Sequence, residues 1–304
     1  MDASAKYLPA EVLSRIHRLE LRARTIVEGF LSGVQKSPYQ GFSVEFAEHR
    51  EYVPGDDIRH IDWRVFAKAD RYYVKQYEEE TNLRTHILLD ASASMAYPDP
   101  PAAGRLTKWD YARTLAACLI YLLMHQHDSA GLVLFDESVR LQVPPTARLA
   151  QLRSMIDLLE AQRPASRTEV KASITRLADR VRRRGMVVLI SDLLCAADEV
   201  IAGMERLCYE GHSVIVMQVL DRDELEFPFT QNVLFDALEP PAVEVLTDPQ
   251  SLRHSYLQVL QRHLTAIRTA CVNRMVDYVL MSTADPIHVA LTRFLARRMQ
   301  RLKR

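Results

Sequence analysis

Hydrophobic positions in this chain alternate between two periods. Near-continuous apolar runs fall at 85–90, 130–135 (Ala-Gly-Leu-Val-Leu-Phe), 186–191 (Met-Val-Val-Leu-Ile-Ser) and 213–220 (Ser-Val-Ile-Val-Met-Gln-Val-Leu). Such runs suit strands covered on both faces. Between them apolar residues return every three or four positions, which predicts helices over 107–127, 147–161, 169–184, 196–210, 251–272 and 286–302. In the first, Trp109, Ala112, Ala116, Leu119 and Leu123 form a stripe with further apolar residues around it, so this helix is expected to be deeply buried. Strands separated by helices of ordinary length imply right-handed βαβ crossovers. The expected fold class is α/β: a doubly wound, mostly parallel sheet flanked by helices on both faces. A shorter stretch, Val139–Val143, is expected to pair antiparallel at an edge and to stop at Pro144-Pro145.

The amino-terminal part follows another pattern. Residues 9–34 place Val12, Ile16, Leu19, Ala23, Ile26 and Phe30 on one helical face, with Gly33 near its end. Residues 40–82 are polar and turn-rich, with Tyr72-Tyr73-Val74-Lys75-Gln76-Tyr77 as an alternating strand. We therefore divide the chain into a helix, loop and strand extension over 1–81, packed on a main α/β domain over 82–304. Pro228, Pro240, Pro241 and Pro249 make 221–250 a loop-rich connection.

Composition narrows the classes. Among 304 residues, Lys+Arg and Asp+Glu both number 39, so a global affinity for nucleic acid or anionic membrane is not favoured. The four cysteines, Cys118, Cys195, Cys208 and Cys271, have no C-x-x-C spacing and indicate neither a zinc site nor a disulfide framework. A cytoplasmic, reducing setting is the expectation. Residues 9–31 are charged throughout, unlike a signal peptide, and Leu115 to Met124 is about half the length of a bilayer span. No integral membrane segment is expected.

The chemistry concentrates after the first apolar run. It ends in Asp90, and two hydroxyls follow at alternate positions, Ser92 and Ser94. Open α/β sheets bind ligands at the carboxyl ends of their strands. Thr168, at the start of a predicted helix, and Asp192, closing the strand Val-Val-Leu-Ile-Ser-Asp, would join the same rim if their strands are neighbours. Hydroxyls and carboxylates are hard oxygen donors, suited to Mg²⁺ (or Mn²⁺ or Ca²⁺) rather than zinc. Their low charge leaves the ion short of an anion, which points to docking. The competing local roles are turn formation by Ser92 and Asp192 and helix capping by Thr168.

Asp90-Ala-Ser92-Ala-Ser94, then Thr168, then Ser191-Asp192 resemble the metal-ion-dependent adhesion site of von Willebrand factor A (vWA) domains. The flanking sequence is similar to the bacterial family called domain of unknown function 58. That likeness rests on Glu45-Phe46-Ala47-Glu48-His49-Arg50-Glu51-Tyr52-Val53-Pro54-Gly55-Asp56-Asp57-Ile58-Arg59-His60-Ile61-Asp62-Trp63. It continues through Lys75-Gln76-Tyr77-Glu78-Glu79-Glu80, Arg183-Arg184-Gly185, Asp248-Pro249 and Thr283-Ala284-Asp285-Pro286. The resemblance implies a vWA-like, Rossmann-like sheet and a cation held by Asp90, Ser92, Ser94, Thr168 and Asp192. It further implies a partner whose acidic residue completes the coordination, and an accessory role beside a MoxR-type AAA+ ATPase and its client proteins. Two positions depart from the vWA pattern: Leu193 replaces a common Gly, and Arg167 replaces a small residue before Thr168.

Other features have plainer roles. The 55–63 segment holds three carboxylates and His60 without a nucleophile, which favours turn, cap and partner contacts over catalysis. Arg293, Arg297, Arg298, Arg301, Lys303 and Arg304 give a basic tail read as a solvated helix face. The chain is expected to be non-enzymatic. The alternative is a Mg²⁺-dependent hydrolase or phosphatase with Asp90 as nucleophile, but Ser92 stands where such enzymes place an acid. Nucleotide-binding glycine motifs are missing from the sequence.

Overall fold

The structure, a computed structural model, describes residues 18–34, 49–52, 66, 71–75, 83–99, 104–165, 174–175, 184–231, 233–236 and 244–292. The chain divides into two compact units, one of Met1–Leu31 with Leu83–Arg304 and one of Ser32–Asn82. Helix α1 (Leu19–Val34) buries Leu19, Ala23, Ile26 and Val27, the stripe its spacing demands. In the smaller unit, β1 (His49–Glu51) pairs antiparallel with β2 (Tyr73–Lys75), and Phe66 stacks on Tyr72 with ring centroids 4.4 Å apart.

The larger unit carries the sheet. Strand β3 (Arg84–Asp90) leads through a 3₁₀ turn at Ala93–Ala96 to helix α2 (Lys108–His125). Thr107 caps α2 by accepting from Asp110 N at 3.0 Å. Strands β4 (Ser129–Phe135) and β5 (Val139–Thr146), helix α3 (Ala150–Ala161), strand β6 (Met186–Ser191), helix α4 (Ala197–Tyr209) and strand β7 (Ser213–Leu220) follow. A short helix α5 (Arg222–Glu226) precedes an antiparallel ribbon of β8 (Val233–Asp236) and β9 (Glu244–Thr247). The long helix α6 (Pro249–Asn273), capped by Asp248 with Pro249 in its first turn, leads to β10 (Asp277–Ser282).

Six strands order as β10-β7-β6-β3-β4-β5, parallel except for the β4–β5 pair. One face packs Leu88, Val187, Leu189, Val214 and Val216 against Val200, Met204 and Leu207 of α4 and Ile267 of α6. The opposite residues Ile87 and Leu89 are equally buried, and α2 packs across β3, β4, β6 and β7. The α/β class and its four continuous apolar strands are as expected.

Three elements differ from the sequence expectation. Strand β5 does not stop at its prolines but runs on to Thr146, with a register shift between Ala130 and Leu132 of β4. An outer strand tolerates the lost N–H groups. The shift brings Pro145 so close that a Cβ on Gly131 would lie 2.8 Å from its nitrogen. Strand β10 lies between the predicted helices 251–272 and 286–302, where no element was expected; only Val279 and Met281 of its six residues are buried, so it lacks the continuous apolar run of an inner strand. The 221–250 connection likewise contains α5 and the β8–β9 ribbon. Of the predicted 169–184 helix only helical 174–175 and the non-helical Arg184 are described, and 9–17, 53–65 and the basic tail lie outside the described residues.

Candidate functional site

Renumbered from β3 and taken from the β5 edge, the sheet reads 3-2-1-4-5-6, the doubly wound order that opens a crevice between its first and fourth strands. Here those strands are β3 and β6, with Leu89 opposite Ile190. Their next residues, Asp90 and Ser191, stand side by side at the carboxyl rim, and Ser191 Oγ donates to Asp90 Oδ2 at 2.5 Å. The expected convergence of the 90–94 and 191–192 segments is therefore a property of the strand order.

Asp90 is 0% exposed. Its other oxygen, Oδ1, accepts from Ser92 N at 2.9 Å, and Ser191 Oγ in turn accepts from Leu193 N at 3.0 Å. Burial, and then the negative charge of Asp192, push the Asp90 carboxyl well above the usual carboxylate range. Ser92 and Ser94 stand with their hydroxyl oxygens 3.1 Å apart, Ser92 buried and Ser94 partly open. Ala91 O accepts from Ala165 N at 2.9 Å and from Arg140 at 3.4 Å, which ties the loop to the segment preceding Thr168. Thr168 and Arg167 themselves lie outside the described residues.

Asp192 stands beside this group with a different set of partners. Its Oδ2 accepts from Lys108 Nζ at 2.7 Å, and the same ammonium donates to Glu224 Oε1 at 2.6 Å. Lys108 and Asp192 side chains are each 1% exposed. Burial alone would lower the Lys108 pKa, but Asp192 and Glu224 outweigh it and hold the ammonium charged. Gln218 of β7 donates to Asp192 O at 2.7 Å and accepts from Tyr278 at 2.7 Å. Leu193 has φ +54° and is fully buried, and His263 lies 2.8 Å from its carbonyl.

Around the end of β7, Asp221 caps α5 and shares a capping box with Glu224. It also accepts from Arg105 and, at 2.6 Å, from Thr283. Arg105 reaches Asp223 as well, at 2.9 Å. Lys108, Gln218, Asp221 and Glu224 were not singled out from the sequence, and Ser191 was noted only as part of the Ser191-Asp192 motif, without a role of its own. A lone Gln inside the apolar run 213–220 and the Asp221/Glu224 spacing were signals that could have found three of them; nothing local marks Lys108.

A divalent cation fits one side of this rim. Adjacent ligands of an octahedral Mg²⁺ lie about 3.0 Å apart, close to the 3.1 Å between the Ser92 and Ser94 hydroxyls. Asp90 beside them has hydrogen bonds but no cation of its own among the described partners. Asp192 does not fit in the same way, because its charge is already matched by Lys108.

A family model described as "Protein of unknown function DUF58" matches residues 48–266. An uncharacterized protein of Mycobacterium tuberculosis is 27% identical over 256 residues, covering 83% of this chain and 79% of that protein. An uncharacterized protein of Mycobacterium bovis matches with the same figures. Among solved structures, the conserved hypothetical protein BatB from Bacteroides thetaiotaomicron has a TM-score of 0.42 at 16% identity, covering 71% of this chain and 99% of that one. The SpRpn10 VWA domain has a TM-score of 0.41 at 14% identity, covering 69% and 94% respectively. Likeness at this level adds nothing to the strand order, on which the architecture rests.

Proposed function

The chain belongs to the DUF58 family, whose model covers residues 48–266, and from that premise we propose that it is a non-enzymatic protein-interaction module that docks partners through a divalent cation. One observation carries the reading: two hydroxyls at ligand spacing beside a buried carboxylate with no cation among the described residues, at the switch point of the sheet. Asp90, Ser92, Ser94 and Thr168 would hold Mg²⁺, or Mn²⁺ or Ca²⁺ in its place. When bound, the ion supplies a Lewis-acid site that accepts a carboxylate oxygen from the partner. Ser191 and the Ser92 N–H hold the Asp90 carboxylate in one orientation. Among the described donors, Ser94, partly open, is the one nearest solvent.

The partner is a MoxR-type AAA+ ATPase together with its clients; family resemblance alone supports this part. Cytoplasmic placement belongs to the same proposal. It is consistent with four free cysteines and with the finding that no helix among the described residues is long and apolar enough to cross a membrane. The hydrolase alternative draws no support from the geometry. Asp90 is fully buried with both oxygens hydrogen-bonded, and Ser92 cannot protonate a leaving group.

The test is Ser92→Ala with Ser94→Ala, which removes both hydroxyls while leaving Asp90 in place. Calorimetric titration with Mg²⁺ should show Kd weakened tenfold or more, about 1.4 kcal/mol, with Mg²⁺-dependent capture of the ATPase lost. Capture that survives both the double substitution and a chelator would sink the metal bridge.

A further inference from the structure

Two carboxylates stand at the rim with different kinds of partner. Asp90 has two hydrogen-bond donors and no described cation; Asp192 has Lys108 at 2.7 Å, with the pair 1% exposed on both sides. Glu224 fixes the same ammonium at 2.6 Å from the far side and is itself held by the Asp221 backbone at 2.7 Å. Lys108 begins α2, whose cap and packing set the position of its main chain. The ammonium is therefore lodged between two anchored carboxylates and cannot leave Asp192 without leaving a buried charge unmatched.

We propose that Lys108 is the standing counter-ion of Asp192, so that a divalent cation is confined to the Asp90, Ser92 and Ser94 side and Lys108 sets how tightly that cation is held. This rests on the docking reading above and deepens it. With Asp192 matched by Lys108, one carboxylate remains for a doubly charged ion. The bound ion keeps a net positive charge and so selects an anionic ligand at its open position. With both carboxylates engaged, the ion would be neutralised by the protein and its attraction for a partner's carboxylate would fall. Lys108 thus exchanges ion affinity for partner affinity.

The experiment is a double-mutant cycle read as the Mg²⁺ Kd by calorimetry, with MgCl₂ as the only ligand. Lys108→Met strands two carboxylates, so it is made together with Glu224→Gln, and native circular dichroism is confirmed first. Expected are a Kd tightened tenfold or more in that variant and a loss of this gain on adding Asp192→Asn. With Lys108 present, Asp192→Asn should change Kd by less than about threefold. A tenfold weakening by Asp192→Asn in the presence of Lys108 overturns the proposal while leaving the metal bridge standing. Failure of the lysine variant to bind more tightly also overturns it. If only the lysine variant binds Mg²⁺, the wild-type docking reading fails and the counter-ion role stands; if no variant binds, both fail. Should the lysine variant not fold, the comparison of wild type with Asp192→Asn decides.

Discussion

Leu193 follows Asp192 with φ +54°, a left-handed conformation that costs a residue bearing a Cβ roughly 1–2 kcal/mol. The vWA resemblance leads one to expect glycine there, and the sequence shows the departure plainly. What it does not show is the compensation. The Leu193 side chain is fully buried in the cluster of Leu189, Val200 and Met204, and burial of a leucine is worth roughly 1.5–3 kcal/mol. Leu193→Ala should lose that packing and keep the strain, whereas Leu193→Gly loses the packing and releases the strain. We expect the glycine variant to be the more stable of the two by roughly 1 kcal/mol in urea unfolding. The opposite order would mean that the main chain beside Asp192 is held without strain.

At the scale of elements, Gly131 and the Pro144-Pro145 pair form one device. The register shift that admits the prolines leaves no room for a side chain at 131, where a Cβ would also meet Val143 O at 2.9 Å. Gly131→Ala is expected to destabilise the protein by roughly 1–3 kcal/mol, the usual cost of overpacking, as measured by denaturant melts. A neutral result would show that the proline segment can move aside. Which elements were legible follows from how each is covered. Strands β3, β4, β6 and β7 are enclosed on both faces and spell continuous apolar runs, so 186–191 and 213–220 match residue for residue. Strand β10 is outermost and half exposed, and its alternating buried positions were lost between two helical patterns. The β5 end was misjudged because a proline pair signals termination unless the partner strand offers a glycine opposite.

For the molecule as a whole, acid sensitivity has an identifiable source. His86 is buried among strands, and burial first, then His212 and Arg84, lower its pKa to about 4. Its folded-state pKa lies below the unfolded value near 6.5. The unfolded chain therefore takes up a proton that the folded chain refuses, and this contribution to stability is full above pH 6.5 and lost as pH falls toward 4. The loss amounts to roughly 3 kcal/mol. Unfolding measured from pH 7 to 4 should show His86→Leu gaining on wild type by about that amount; parallel pH profiles would refute the assignment. Part of the candidate site was legible, and Thr168 lies outside the described residues. Asp90, Ser92, Ser94 and Asp192 come from motif spacing, and the strand order brings their segments together. Lys108 was not legible, because an ion pair spanning 84 residues leaves no local pattern. The proline pair at the outer strand carries one more consequence. Many proteins recruit peptides by letting them zip onto an exposed sheet edge. A proline pair, which removes an amide donor from the open margin, and the register irregularity beside it make the β5 margin a poor template for such extension, so a binding partner has reason to engage the loops at the end of the sheet instead.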